Sequence, residues 1–132
     1  MRFEHLRYQP SDAARSDDGW EVVVQSGKKR TGRDALEWAE EATALGAGEI
    51  LLTSWDRDGT GDGYDLELLR ALTARVGVPV IASGGADGVE HMLEALGAGA
   101  QAVLAATIFH DGHTTVESLK REMLAAGQEV RL

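Results

Sequence analysis

Several residue types and segments are missing from this chain, and each absence narrows what the protein can be. There is no cysteine in 132 residues, so disulfides and thiol catalysis are excluded. No apolar run approaches the roughly 20 residues that a membrane-spanning helix needs. Residues 1–10 lack the apolar core of a signal peptide. We therefore expect a cytoplasmic protein without a membrane partner.

Positive charge is also scarce. The chain has 13 Lys and Arg against 22 Asp and Glu, a formal net charge of −9. Nucleic acids and acidic membranes bind basic surfaces, so neither is an expected partner. With 43% hydrophobic and 27% charged residues, the composition is that of an ordinary globular protein, and the length suits one domain.

What the chain does contain is a regular alternation of apolar runs and helical patterns. Continuous apolar runs at 49–53, 78–82 and 102–106 are typical of strands buried on both faces. Apolar residues at helical spacing predict helices between them, and the alternation indicates a parallel α/β sheet. The predicted helices are residues 33–45, 66–76, 89–96 and 115–126. A short strand is predicted at 20–25, turns at 10–12 and 17–19, and loops at 26–32, 56–64, 83–87 and 107–114.

The loops after the buried strands carry the residues suited to chemistry, as is usual in parallel α/β folds. After the first of these strands, Asp58 precedes Gly59, where the backbone can turn sharply. A carboxylate in that place can act as a general acid or base. The alternative is that Asp56 and Asp58 only form Asx turns or cap the next helix.

The next two loops together suggest a phosphate site. Gly84 and Gly85 expose backbone N–H groups beside a helix N-terminus, an arrangement that suits a phosphate, although a tight turn without a ligand explains the same pair. After the third strand, Ala106 leaves room for a ligand and Thr107 offers a hydroxyl. Because the two strands are predicted neighbours, the two loops support each other as one site.

The remaining candidates are histidines and a basic run. His110 and His113 are close in sequence, but no third ligand accompanies them, so neither a metal site nor a cofactor is predicted. The run Lys28-Lys29-Arg30 is typical of a solvated loop. Beside a strand-end site it could instead clamp a phosphate.

Five sequence motifs carry a resemblance to a known family. They are SGKKRTG (26–32), GAGEILLTS (46–54), DRDGT (56–60), ASGGA (82–86) and AATIFH (105–110). In this order they resemble the C-terminal half of the cyclase subunit of imidazole glycerol phosphate synthase, an enzyme of histidine biosynthesis. The sister isomerase of the pathway shares only the DGT and SGG elements.

The resemblance implies a (βα)₄ half of a TIM-type (βα)₈ barrel, with a parallel sheet and helices on one face. A single half-barrel domain would span residues 1–132, family-like over 17–132 and divergent over 1–16. The first of the four strands should precede Asp12, but residues 3–11 do not alternate cleanly. Pro10 cannot donate to a central ladder, so the sequence leaves this strand doubtful.

The site residues follow from the resemblance, motif by motif. It implies that Asp58 takes part in acid–base steps and that Asp12 is the principal catalytic acid or base. The family's other catalytic aspartate lies on the first barrel strand, which this half lacks. The substrate would be a phosphorylated ribonucleotide and the partner a glutaminase subunit. The implied phosphate-binding residues are Asp58, Gly59, Gly84, Gly85, Ala106 and Thr107.

An isolated half-barrel would have unpaired sheet edges and an open apolar face. The simplest remedy is a homodimer or higher homo-oligomer that completes a barrel and binds phosphate with little or no cyclase–lyase activity. Two alternatives stay open. One is a non-enzymatic folding fragment, natural or engineered, and the other is a half that needs a separate N-terminal half for activity.

Overall fold

The computed structural model describes residues 9–25 and 27–132, which form a six-stranded sheet and five helices. The strands are β1 (Gln9–Ser16), β2 (Gly19–Val24), β3 (Lys29–Asp34), β4 (Ile50–Ser54), β5 (Val80–Ser83) and β6 (Ala102–Leu104). The helices are α1 (Ala35–Ala44), α2 (Leu66–Thr73), α3 (Val89–Gly97), α4 (Thr107–His110) and α5 (Val116–Ala125). No helix in these ranges is both long and apolar enough to cross a membrane.

The sheet combines a parallel part with an antiparallel edge. Its strand order is β3-β2-β1-β4-β5-β6. Strands β1, β4, β5 and β6 pair in parallel, and helices connect them. This is the predicted half-barrel arrangement, so the α/β fold class is confirmed. The hairpin of β2 and β3 is added antiparallel to β1.

Strand β1 forms although the sequence left it doubtful, and the turn predicted at residues 10–12 is wrong. The Ala13 carbonyl accepts a hydrogen bond of 2.8 Å from the Trp55 N–H, so the backbone polar groups of Ala13 point toward β4. Successive residues of a strand direct their backbone groups to opposite edges. The nitrogen of Pro10 therefore points away from β4. Because β2 pairs with β1 only from Asp12 onward, the proline removes no ladder bond among the described residues.

Two segments predicted as loops have regular structure. Residues 29–34 form β3, and residues 107–110 form the single turn of α4. In β3 the side chains from Lys29 to Arg33 are all exposed, so the strand has no apolar alternation to reveal it. Helix α1 also begins later than predicted, since Asp34 caps it by accepting a 2.9 Å hydrogen bond from the Glu37 N–H.

The two faces of the sheet differ in what covers them. One face packs against α1, α2, α3 and α5 in a single core. In β4 and β5 the positions that alternate with this buried face are only half-buried, and together with the exposed Leu104 of β6 they form part of the open face of the half-barrel. The buried positions include Ile50, Leu52, Val80 and Ala82, at most 3% exposed. The register aligns a row across the open face: Asp12, Thr53, Ser83 and Leu104.

Side-chain contacts fasten the hairpin to α2. The buried Trp20 donates from Nε1 to Asp65 Oδ2 at 3.2 Å, and the Arg15 guanidinium lies 5.2 Å from the Trp20 ring centroid. The Arg15 guanidinium also pairs with Glu67 at 2.8 Å. The backbone N–H of Arg15 donates to Asp56 Oδ2 at 2.6 Å. These contacts fix where β1, and with it Asp12, enters the sheet.

Candidate functional site

The carboxyl ends of β4, β5 and β6 carry loops that enclose one cavity. Residues 58–61, 84–87 and 104–108 form most of its wall, and the turn that follows α4 completes it. The cavity has a volume of about 230 Å³, several times the roughly 30 Å³ that one water occupies in the liquid. It therefore has room for a group the size of a phosphate.

The residues that the resemblance assigned to phosphate binding all line this cavity. They come from three loops that are far apart in the sequence, and the parallel pairing of β4, β5 and β6 brings them together. Whether they bind phosphate stays a prediction. The six residues are Asp58, Gly59, Gly84, Gly85, Ala106 and Thr107.

The two glycines at the end of β5 are required by close packing of two loops. Gly84 and Gly85 have φ values of 93° and 106°, in the left-handed region that favours glycine. A Cβ on Gly84 would lie 2.8 Å from the Ser54 carbonyl oxygen, and a Cβ on Gly85 would overlap the Gly63 carbonyl. The Gly63 N–H donates to the Gly85 carbonyl at 2.8 Å. The tight turn is therefore real, and its backbone lines the cavity.

The helices at the cavity begin differently from the others. Side chains of Asp34, Asp65 and Thr115 accept hydrogen bonds in the first turns of α1, α2 and α5. Gly88 and Ala106 are the N-cap residues of α3 and α4, and in the described chain neither helix receives a side-chain cap. An uncapped first turn leaves N–H donors free, and in a helix the length of α3 these donors suit an anion.

A buried tyrosine ties the first loop to the last strand. The Tyr64 hydroxyl donates to the Leu104 carbonyl at 2.9 Å, and its side chain is 3% exposed. Burial raises the pKa of Tyr64 well above its usual range, so the phenol keeps its proton and remains a donor. The bond holds the loop that carries Asp58 against the end of β6.

The second predicted catalytic residue lies apart from the cavity. Asp12 is half-buried in β1, in register with Thr53, and is not among the residues that line the cavity. Its place is the open face of the half-barrel, at the same end of the sheet as Asp58. The structure brings the phosphate-site residues together and leaves Asp12 on the neighbouring part of the strand-end surface.

Sequence reasoning did not assign part of the cavity wall to the site. Asp87, Asp111 and His113 also line it, the last two from the turn between α4 and α5. The sequence predicts that turn only as part of the loop at 107–114. No periodicity or motif spacing distinguishes its cavity-lining residues from the other residues of the loop. Among residues 9–25 and 27–132, no three acidic or histidine side chains converge where they could hold a metal ion.

The basic run is not part of the cavity wall. Arg30 pairs with Glu21 at 2.6 Å and donates to the Arg15 carbonyl at 3.1 Å, so it holds the hairpin. Gly27, just before the run, packs closely against the residue that follows β4, because a Cβ on Gly27 would overlap the Trp55 ring. The run belongs structurally to the hairpin.

Comparison with known proteins agrees with this fold and these motifs. A family profile described as "Histidine biosynthesis protein" matches residues 11–115. The chain belongs to that family. The matched range runs from within β1 to beyond α4 and so includes the three loops that enclose the cavity.

Individual relatives in the histidine biosynthesis family carry one name. The imidazole glycerol phosphate synthase subunit HisF of Exiguobacterium sibiricum is 53% identical over 120 residues, covering 91% of this chain and 48% of the relative. The HisF of Streptomyces avermitilis is 54% identical with the same coverage. The HisF of Pyrobaculum aerophilum is 54% identical, over 92% of this chain and 48% of its own. This chain therefore spans about half the length of the curated relatives it matches.

Proposed function

We propose that this chain is the phosphate-binding half of a HisF-type barrel, and that its open face binds a second copy of the chain. In this proposal the cavity at the ends of β4, β5 and β6 holds the phosphate of a phosphorylated ribonucleotide. The assembled halves retain little or no cyclase–lyase activity. The relatives named imidazole glycerol phosphate synthase support the choice of substrate class.

The convergence of six assigned residues on one cavity carries the phosphate part of the proposal. Its wall offers backbone at Gly84 and Gly85 and the hydroxyl of Thr107. Helix α3 starts beside this wall without a side-chain cap. Donors of this kind bind a phosphate through hydrogen bonds and the helix dipole.

The open face supports the assembly part. Leu51 and Ile81 lie on it in register and are only half-buried. Leu104 at the end of β6 is 43% exposed. On the helix-covered side of the same edge strand, between β6 and helices α3 and α5, a largely apolar groove of about 480 Å³ includes Val103 and Phe109 in its wall. Apolar surface of this kind marks an interface, and two copies supply about the length of one relative.

In this proposal two aspartates support the little activity that the assembled halves retain. Asp12 would act as the principal acid or base and Asp58 would assist, both from the same end of the sheet. The resemblance puts another catalytic aspartate on a strand outside this half, so a pair of identical halves would lack that group. A glutaminase partner is supported only by the word "subunit" in the relatives' name.

The phosphate site is tested by changing charge at its wall without changing size. Ala106→Asp puts a carboxylate into the cavity, whereas Ala106→Asn adds a nearly isosteric neutral group. Titration with inorganic phosphate, followed by NMR shifts of the loop amides, should show binding weakened at least about tenfold by the aspartate relative to the asparagine. Equal affinities in the two variants, or no binding by the unchanged chain, would contradict the site.

Assembly is tested with two leucines of similar exposure. Leu104 on the open face is 43% exposed and Leu124 on α5 is 48% exposed. Light scattering should show a dimer or larger species for the unchanged chain and for Leu124→Asp, and a monomer for Leu104→Asp. A monomeric unchanged chain would overturn assembly by identical halves.

Activity assays separate the remaining alternatives. The chain is assayed with ammonia and the phosphorylated ribonucleotide, alone and after mixing with the N-terminal half of a HisF relative. Activity that appears only on mixing identifies a half that needs its complement. If the chain shows neither activity nor phosphate binding, the remaining interpretation is a non-enzymatic folding fragment.

A further inference from the structure

The charges on the cavity wall are unusual for a site that binds an anion. Three acidic residues are part of it: Asp58 from the β4–α2 loop, Asp87 from the β5–α3 loop and Asp111 from the turn after α4. Among the lining residues there is no lysine or arginine, and His113 is the one side chain that can carry a positive charge. A bound phosphate would meet three negative groups and this single imidazole.

The turn that carries His113 is held in place by its backbone. The His113 N–H donates to the Ile108 carbonyl at 3.1 Å, and the Asp111 N–H donates to the Thr107 carbonyl at 2.9 Å. Ile108 is 1% exposed, so the anchor is buried. The His113 side chain itself is exposed, so solvent reaches the imidazole at the cavity wall.

The other histidines near the cavity are placed differently. His91 lies against Gly63, and its Nδ1 accepts a 3.1 Å hydrogen bond from the Asp87 N–H. This ring therefore stabilises the β5–α3 loop. His110 ends α4 and is exposed, but it is not among the residues that line the cavity. Within the described residues, His113 therefore has a place that neither of these two shares.

We propose that His113 is a pH-dependent ligand of the anion bound in this cavity, contacting it as the imidazolium. Histidine is the side chain whose charge ordinarily changes between pH 5 and 8. A charge-assisted hydrogen bond is about twice as strong as a neutral one. Because Asp58, Asp87 and Asp111 repel the anion, gaining one opposing charge tightens binding as the pH falls. The inference rests on the phosphate site proposed above.

The test measures how anion affinity depends on pH in the full chain and in matched variants. Inorganic sulfate is the main probe, since it stays a dianion between about pH 5.5 and about pH 8, and inorganic phosphate is the second. Affinities are measured by calorimetry for the unchanged chain, His113→Gln, His113→Lys and the control His110→Gln. Thermal melts confirm that each variant is folded.

We expect sulfate binding by the unchanged chain to tighten about fivefold to tenfold from the higher to the lower pH. His110→Gln should show the same ratio. His113→Gln should lose most of this dependence. His113→Lys should bind tightly at both values, because lysine keeps its charge throughout this range.

The possible failures are distinguishable. If His113→Gln keeps the full pH dependence of the unchanged chain while both bind sulfate, the role of His113 is overturned and the phosphate site survives. If His113→Lys binds as weakly as His113→Gln at the lower pH, the role is equally overturned, since a positive charge then adds nothing. If the unchanged chain binds neither sulfate nor phosphate at either pH, the proposed phosphate site itself is wrong.

Discussion

The hairpin side of the molecule and the cavity side are held together by different kinds of contact. On the hairpin side, side chains make the links: Trp20 to Asp65, Arg30 to Glu21, and Asp34 as the cap of α1. On the cavity side, glycine backbone packs against backbone, as where the Gly63 N–H meets the Gly85 carbonyl. Tyr64 adds a side-chain link there.

This difference shows how one sheet can combine a side-chain-stabilised region with the region proposed above to bind phosphate. Side-chain caps and pairs consume backbone donors on the hairpin side, which stabilises that region. On the cavity side the first turn of α3 keeps its donors available for a ligand. The hairpin side should therefore be sensitive to removing side chains, and the cavity side to adding them.

The largest effect should come from adding one methyl group on the cavity side. In Gly85→Ala the new Cβ overlaps the Gly63 carbonyl and the residue is left at a φ of 106°. We expect a loss of about 3 kcal/mol or more in the free energy of unfolding, measured by urea denaturation. The control Gly59→Ala also has positive φ but meets no atom within 4 Å, and should lose about 1–2 kcal/mol. Equal losses would remove the close-packing argument.

Removing a buried cap on the hairpin side should be the next largest effect. Asp65 accepts from the Leu68 N–H at 3.0 Å and from Trp20 Nε1 at 3.2 Å, and is 7% exposed. Asp65→Ala loses the cap and leaves a buried indole N–H unpaired, which should cost about 2–3 kcal/mol. Asp34→Ala, which removes a cap alone, should cost about 1 kcal/mol. The contrast fails if urea denaturation gives the two variants the same midpoint.

A smaller effect should follow from cutting the side-chain link on the cavity side. Tyr64→Phe removes the hydrogen bond to the Leu104 carbonyl and should cost about 1 kcal/mol near neutral pH. The raised pKa of Tyr64 means that the folded state holds this proton more tightly than the unfolded state. The stability it contributes is complete below the ordinary tyrosine pKa of 10.0 and falls as the pH rises above it.

Urea denaturation of the Tyr64→Phe variant and the unchanged chain at about pH 7 and about pH 10.5 measures both parts of this prediction. The advantage of the unchanged chain should shrink at the higher pH. An advantage that grows there would show that the tyrosine does not retain its proton on folding.

The smallest effect should come from an exposed ion pair on the hairpin side. Arg15 and Glu67 pair at 2.8 Å, but their side chains are 52% and 70% exposed. Exposed pairs are screened by water and salt and contribute little. We expect Glu67→Gln, which removes the ion pair but keeps Arg15 over the Trp20 ring, to leave the urea midpoint within experimental error. A loss as large as that of Asp65→Ala would show that side-chain links on this side matter regardless of burial.

Much of the parallel part could be read from the sequence because its signals are local. The apolar run at 49–53 and the helical spacing that begins at residue 66 lie in or beside the elements they define. The sequence did not predict strand β3, because all its side chains from Lys29 to Arg33 are exposed and show no apolar alternation. Strand β1 was doubted because Pro10 is a poor strand residue, and only the pairing register shows that its nitrogen points away from β4.

The candidate site likewise has features that local sequence signals predict and features that depend on tertiary contacts. The sequence by itself determined the family motifs and the alternation of strands and helices, and through the resemblance it predicted the six assigned residues, because each of these depends on neighbouring residues in the chain. The tertiary structure alone decided that these residues share one cavity, that Asp12 stands beside it, and that His113 joins Asp58, Asp87 and Asp111 on its wall. Such contacts depend on strand register and on the path of the turn after α4, and no local periodicity encodes either of these.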